Sequence, residues 1–218
     1  MFMSKLELLP RGLLVQTSSV DHADWNYRPL LGFLQRARFR LVGRLLMGLE
    51  CEDLLEVGYG SGVFFPHLRT VSERLSGIDP HTCEEQVRRA LQSIGIDADL
   101  KSGSVASMPF ADLSFDVIVA VSALEYVDAI DDACREMTRV LRPNGSLVVV
   151  TPCKSPILDF GLRIVGGEDA ESNYGARREK LFSSLVRHFD IDALAKWPWP
   201  GVPGLTVYRA LRLTPKTK

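Results

Sequence analysis

Two acids and three glycines fall at a spacing that chemistry can use. Glu56 lies in the apolar run Leu54-Leu55-Glu56-Val57, and Gly58, Gly60 and Gly62 follow at two-residue steps around Tyr59 and Ser61. A buried strand that breaks into such a turn brings bare backbone within contact distance of a ligand. Glycine is needed there wherever φ turns positive or a Cβ would push the ligand away. About twenty residues further on, Leu75-Ser76-Gly77-Ile78-Asp79-Pro80 reads as a second short strand ending in an acid. A carboxylate at that place can accept hydrogen bonds from both hydroxyls of a ribose. The two motifs together describe a nucleoside site.

The glycine spacing also selects among nucleosides. A dinucleotide fingerprint carries a third glycine that lets the following helix bring its N-terminus to a pyrophosphate; here that position is the β-branched Val63, and glycine comes one place early. A ligand with adenosine but no phosphate needs the turn and the ribose acid without the anion site, which describes S-adenosylmethionine. Further motifs follow: Gly103-Ser104-Val105-Ala106-Ser107-Met108-Pro109-Phe110, Ser114-Phe115-Asp116-Val117-Ile118-Val119, Leu124-Glu125-Tyr126-Val127 and Leu141-Arg142-Pro143-Asn144-Gly145-Ser146-Leu147. On these residues, from Asp53 to Thr151, the chain resembles the class I S-adenosylmethionine-dependent methyltransferases, within them the small-molecule group typified by ubiquinone and menaquinone biosynthesis.

That resemblance implies roles for particular residues. Gly58, Gly60 and the backbone of Tyr59 would pass beside the methionine part of the cofactor, with Glu56 fixing the turn or receiving the amino group. Asp79 would hold the ribose hydroxyls and Pro80 would lie beside the adenine. Ser104 and the Val105 amide would meet the adenine edge, and the backbone around Val121 would face the amino-acid part. Two positions depart from the family: Ser104 stands where an acid is frequent, which weakens adenine recognition, and Tyr126 stands where histidine is frequent, which removes one general base.

Methyl transfer is an in-line displacement on a carbon activated by a positively charged sulfur, so the protein mainly orients reactants and excludes water. The histidines His22, His67, His81 and His188 fall in separate segments and complete no triad. No catalytic residue is assigned; Glu125, Tyr126 and Tyr174 are candidates by position for acceptors that need a base. A protein that binds the cofactor without turnover is the alternative, and a nicotinamide-dependent oxidoreductase, opposed by Val63, is the third.

These residues need elements to hold them. Between Asp24 and Leu49, Leu30, Leu31, Leu34, Leu41, Leu45 and Leu46 recur at three- and four-residue steps, so amphipathic helix precedes the first strand. Trp25, Tyr27 and Arg28 at its start are either sulfonium and carboxylate contacts or packing anchors, and Arg36, Arg38, Arg40 and Arg44 form a solvated helix face. Helices are expected at 63–71, with Pro66 in the first turn and His67 facing solvent, at 82–94 with Gly95 as its cap, and at 128–141. Strands are expected at 99–104, 117–121 and 146–150, and alternation of strand and helix makes the sheet mainly parallel. The long connection 151–189, apolar at Ile157, Leu158, Phe160, Leu162 and Ile164, reads as a lid over the acceptor.

The resemblance completes the architecture: a Rossmann-like three-layer α/β/α sandwich around a seven-stranded sheet whose last strand pair, 190–196 and 205–213, is antiparallel. One domain is expected, with an N-terminal helical cap (1–50), a cofactor-binding core (51–151), a lid (152–189) and the C-terminal strand pair (190–218). With 218 residues, 46% hydrophobic and 24% charged, the chain can bury a substantial core. A net charge of -1 gives no footprint for nucleic acid. Cys51, Cys83, Cys134 and Cys153 lie too far apart for a C-x-x-C zinc or redox motif, so no metal is expected. No leader and no run of about twenty apolar residues is present, so a cytoplasmic enzyme is expected, without a transmembrane segment. Its partner would be a small-molecule acceptor, apolar or lipid-like, and its product S-adenosylhomocysteine.

Overall fold

The computed structural model describes residues 5–18, 21–153, 171–198 and 206–216, with backbone alone for Leu30 and for residues 171–176. A seven-stranded sheet runs in the order β3-β2-β1-β4-β5-β7-β6. Its strands are β1 (Asp53–Val57), β2 (Arg74–Asp79), β3 (Ala98–Ser102), β4 (Phe115–Val121), β5 (Leu141–Pro152), β6 (Phe189–Trp197) and β7 (Tyr208–Pro215). The first five pair parallel, while β7 is antiparallel to both β5 and β6. The described helices are α1 (Pro29–Leu46), α2 (Phe65–Leu68), α3 (Glu84–Gln92), α4 (Ile130–Val140) and α5 (Glu171–His188).

The core is split by the sheet. On one face, Leu41, Val42 and Leu45 of α1, Phe65 and Leu68 of α2 and Val87 and Leu91 of α3 pack on Leu54, Val117, Val119 and Val121. On the other, Ala133, Met137 and Val140 of α4 and Leu181 and Leu185 of α5 pack on Leu55, Val57, Ile118 and Ala120. Strands β1 and β4 are buried on both faces, which is why their sequences are continuous apolar runs rather than alternations. The polypeptide reverses its direction of travel across the sheet between β1 and β4. In an open α/β sheet the ligand crevice lies outside the C-terminal ends of the strands at such a switch.

Several expectations need correction. The first crossover helix spans four residues rather than nine, because the glycine turn runs on to Phe64 and the chain leaves through bonds from Thr70 to His67 and from Val71 to Leu68. Thr70, Val71 and Ser72 are poor helix formers, and a tighter turn suits them. Pro66 does fall in the first turn of α2. His67 does not face solvent: it is 5% exposed, its ring stacks on Phe64 with centroids 5.3 Å apart, and Gly43 of α1 leaves room for it. Burial lowers its pKa, so it is a neutral core histidine. The arginines of α1 are not one solvated face. Arg44 is exposed, whereas Arg36 donates to the Asn26 carbonyl and Arg38 points toward buried acids. Gly95 does end α3, with φ +77° and a bond from Ile96 back to Leu91. Strand β5 begins at Leu141 beside Phe115, and the segment around Asn144 (φ +67°) is a bulge within it.

Candidate functional site

The end of β1 and the end of β2 are joined by the acid that terminates β2. Asp79 accepts a hydrogen bond from the Gly60 amide at 2.9 Å on one oxygen and from the His81 amide at 3.2 Å on the other. His81 Nδ1 accepts from the Cys83 amide at 3.0 Å, so the proton sits on Nε2, which donates to the Gly60 carbonyl at 3.0 Å. The glycine turn is therefore held by both its N–H and its C=O before any ligand arrives, and each Asp79 oxygen keeps a lone pair for a hydroxyl.

Two glycines carry the turn's conformation. Gly60 has φ +49°, a left-handed value that costs a side-chain-bearing residue about 1–2 kcal/mol. Gly58, at φ +73°, lies flat against Ala123, and a Cβ there would overlap that of Ala123. The loop after β4 is thus pressed against the loop after β1. Tyr59 contributes backbone to the turn, but its side chain turns away: its ring packs against Phe65 and His81, and its buried hydroxyl, raised in pKa by desolvation and then by Asp79 and Glu84, lies toward α3.

Ser104 and Val105 follow β3 at the same strand end. The Ser104 hydroxyl accepts from the Ala106 amide at 3.2 Å and its carbonyl from the Ser107 amide at 3.1 Å, leaving the serine exposed beside a buried Val105. Pro80 is exposed on the neighbouring loop. Val121 closes β4; Ser122 follows at φ +52°, its amide bonded to the Val150 carbonyl and its buried hydroxyl without a partner among the described residues. The fold thus brings Glu56, Gly58, Gly60, Asp79, Pro80, Ser104, Val105 and Val121 to one edge of the sheet.

Glu56 and Glu125 stand apart from the other acids. Each is 3% exposed, and each has an Oε2 with no hydrogen-bond partner among the described residues. Desolvation raises Glu56 well above the usual carboxylate range, the Asp79 charge raises it further and Arg38 opposes. Glu125 lies in the helical turn Leu124–Tyr126 just after β4, where desolvation pushes it to about 7 against its own amide, Arg178 and Arg38. Tyr208 of β7 feels the same Arg38 and Glu125. Arg38 is a residue sequence reasoning misplaced, and Tyr208 and Arg178 are ones it missed. A signal existed for the first: Arg38 falls on the same helical stripe as Leu34, Leu41 and Leu45, so a charge was being held at a core-facing position.

Other candidates are placed elsewhere. Trp25 stacks on His22 at 4.1 Å, Arg28 pairs with Asp24 at 3.0 Å, and the Tyr27 hydroxyl donates to the Leu9 carbonyl, so these three are anchors of the N-terminal segment. That segment reaches the site through Asp21, whose carboxyl lies 3.8 Å from where a Gly60 Cβ would be. Tyr126 is half exposed. The side chain of Tyr174 and most of the expected lid lie outside the described residues.

A buried carboxylate with one oxygen unpartnered among the described residues, beside a turn that needs no phosphate, suits a nucleoside bearing an amino-acid chain with a free amino group. Residues 55–149 match the methyltransferase domain family. A demethylmenaquinone methyltransferase of Tropheryma whipplei is 29% identical over 204 residues, 84% of each chain. A ubiquinone biosynthesis O-methyltransferase of a Methylobacterium species is 28% identical over 142 residues, 63% of this chain and 57% of the relative. Among solved structures, the N-methyltransferase NodS from Bradyrhizobium japonicum, in complex with S-adenosylhomocysteine, has a TM-score of 0.64 at 18% identity, covering 93% of this chain and 95% of that one. The cyclase SpnF also has a TM-score of 0.64, at 21% identity, covering 84% and 81%. The chain is an S-adenosylmethionine-dependent methyltransferase, with no described helix long and apolar enough to cross a membrane.

Proposed function

We propose that this methyltransferase moves the sulfonium methyl group of S-adenosylmethionine to an oxygen, nitrogen or carbon of a small molecule with an apolar body. The observation that carries the cofactor placement is the buried Glu56 carboxylate, whose Oε2 has no partner among the described residues, at the mouth of the glycine turn. An ammonium group is the ligand that returns its ionised form to favour. Glu56 would hold the amino group, Asp79 the ribose hydroxyls, Ser104 and the Val105 amide the adenine edge, and the turn at Gly58 and Gly60 the methionine chain. The bound cofactor supplies an electrophilic methyl carbon; the protein's own work is to align the acceptor behind it and keep water out. An apolar acceptor body is supported by relatives named for demethylmenaquinone, ubiquinone precursors and a sterol. A cytoplasmic enzyme is the matching location.

Calorimetric titration with S-adenosylmethionine, S-adenosylhomocysteine and NADH tests the reading. Micromolar binding of the adenosyl pair and none of NADH supports it, and an acceptor-dependent release of S-adenosylhomocysteine completes it. NADH binding without the adenosyl pair would reverse it, and adenosyl binding without turnover of any acceptor would favour a protein that only binds the cofactor.

A further inference from the structure

We propose that Glu125, set between Arg38 of α1 and Arg178 of α5 and beside Tyr208 of β7, receives the proton of the methyl acceptor, which is therefore a hydroxyl or carbon acid and not an amine. This rests on the reading above and deepens it.

Glu125 leaves β4 at the strand end where the cofactor residues gather, yet none of the cofactor roles uses it. Its Oε2 is buried and unpartnered among the described residues. A carboxylate removed from water with one oxygen unanswered is costly, and a proton taken up at that oxygen relieves the cost. The surroundings also select the ligand. Among the described residues, the charged groups that act on Glu125 are Arg38 from one side of the sheet and Arg178 from the other, with the Tyr208 hydroxyl in the field of Arg38 and Glu125; across the site, Glu56 shares Arg38. Two guanidiniums favour an acceptor that becomes anionic as it gives up its proton, whereas a neutral amine attacks without needing a base. The same arrangement leaves Glu125 half ionised near neutrality, at about 7, where a general base is matched to its task. Tyr126 is half exposed.

In the step, the acceptor's O–H or C–H bond breaks and its proton passes to Glu125. The electron pair so freed forms the bond to the methyl carbon as the carbon–sulfur bond breaks, leaving neutral S-adenosylhomocysteine. Glu125 returns the proton to solvent when product leaves.

Three measurements on the full chain decide it. Calorimetry comes first: if the wild type does not bind S-adenosylmethionine, the functional reading falls by itself, whereas Glu125→Gln should bind within about twofold of wild type. Next, catechol and hydroquinone are compared with aniline and benzylamine as probes, reading S-adenosylhomocysteine release. The hydroxyl probes should be methylated with a kcat that rises with pH through about 7, and Glu125→Gln should lower kcat at least a hundredfold, leave KM near wild type and abolish the rise. Amine methylation in place of hydroxyl methylation, or hydroxyl methylation untouched by Glu125→Gln, overturns the proposal. Third, and independent of any acceptor, infrared spectra of the S-adenosylhomocysteine complex are recorded across pH, with Glu56→Gln as the control. The carboxyl band that Glu125→Gln removes should titrate near neutrality; titration in the range of exposed carboxylates overturns the assignment.

Discussion

The two ends of the parallel strands treat charge in opposite ways. At the N-terminal end, away from the ligand crevice, Asp53 bonds Arg74 at 2.5 Å and Arg142 at 2.7 Å. Asp116 there takes Arg142 at 2.7 Å and the amides of Glu52 and Asp53 at 3.0 and 2.9 Å. Arginine hydrogen bonds lower Asp53; for Asp116, hydrogen bonds from Arg142 and the two amides outweigh its desolvation, and it too is lowered. At the C-terminal end Glu56 and Glu125 are raised by burial, and the Oε2 of each has no donor among the described residues. One end spends its charges on register, tying β1, β2, β4 and β5 together. The other keeps two buried acids incompletely answered, and the fold carries that cost.

Replacing an acid at one end, Asp116, and at the other, Glu125, should therefore change stability in opposite directions. Gly58→Ala should act hardest, because a Cβ at positive φ against Ala123 disturbs the junction of both loops; chemical denaturation should show a loss of about 3–5 kcal/mol, and a loss under 1 would mean the loops are not in contact. Glu125→Gln should do the reverse. Its carboxyl is held above its unfolded value of 4.5, so the wild type is penalised as pH rises from there to about 7. The variant should therefore be more stable at pH 8, by up to about 3 kcal/mol, and equal to wild type near pH 4; destabilisation at pH 8 would erase the contrast. Asp116→Ala should cost about 1–3 kcal/mol at pH 7. That carboxyl is held low, so its contribution is present above about pH 4 and lost as pH falls below it, and thermal melts across pH would show the gap closing on acidification. Asp79→Ala, which removes a ligand acceptor and the brace on Gly60, should weaken S-adenosylmethionine binding at least tenfold while the melting temperature moves little; unchanged affinity would remove the ribose role.

How much of this was legible in the sequence depends on how far apart the cooperating residues lie. The alternation of strand and helix and the glycine turn came from contiguous motifs, since a turn, its glycines and the acid after the next strand are local constraints; the antiparallel pair and the cluster from Glu56 to Val121 came from the resemblance those motifs carry. Helix α2 was overdrawn because apolar residues near a turn look alike whether they are helical or simply packed. His67 was placed outside because nothing local to it announces Gly43, which makes its pocket. Arg38, Glu125, Arg178 and Tyr208 come from four separate elements, and only the tertiary fold brings their charges into one field. Cofactor sites shared by a family are written locally, whereas acceptor sites are written in long-range contacts.

The N-terminal segment also links mechanics to exchange. The Leu9 amide donates to the carbonyl of Val63 at 3.0 Å, just past the glycine turn, and Leu9 is fully buried while its own carbonyl takes the Tyr27 hydroxyl. With Asp21 above Gly60, residues 9–18 and 21–27 are stitched to the turn beneath them. Roof and cradle then behave as one latch: for a nucleoside to slip out past Gly60, the stretch that begins at Leu9 has to peel back with it, so residence time belongs as much to that stretch as to the groups touching the ligand.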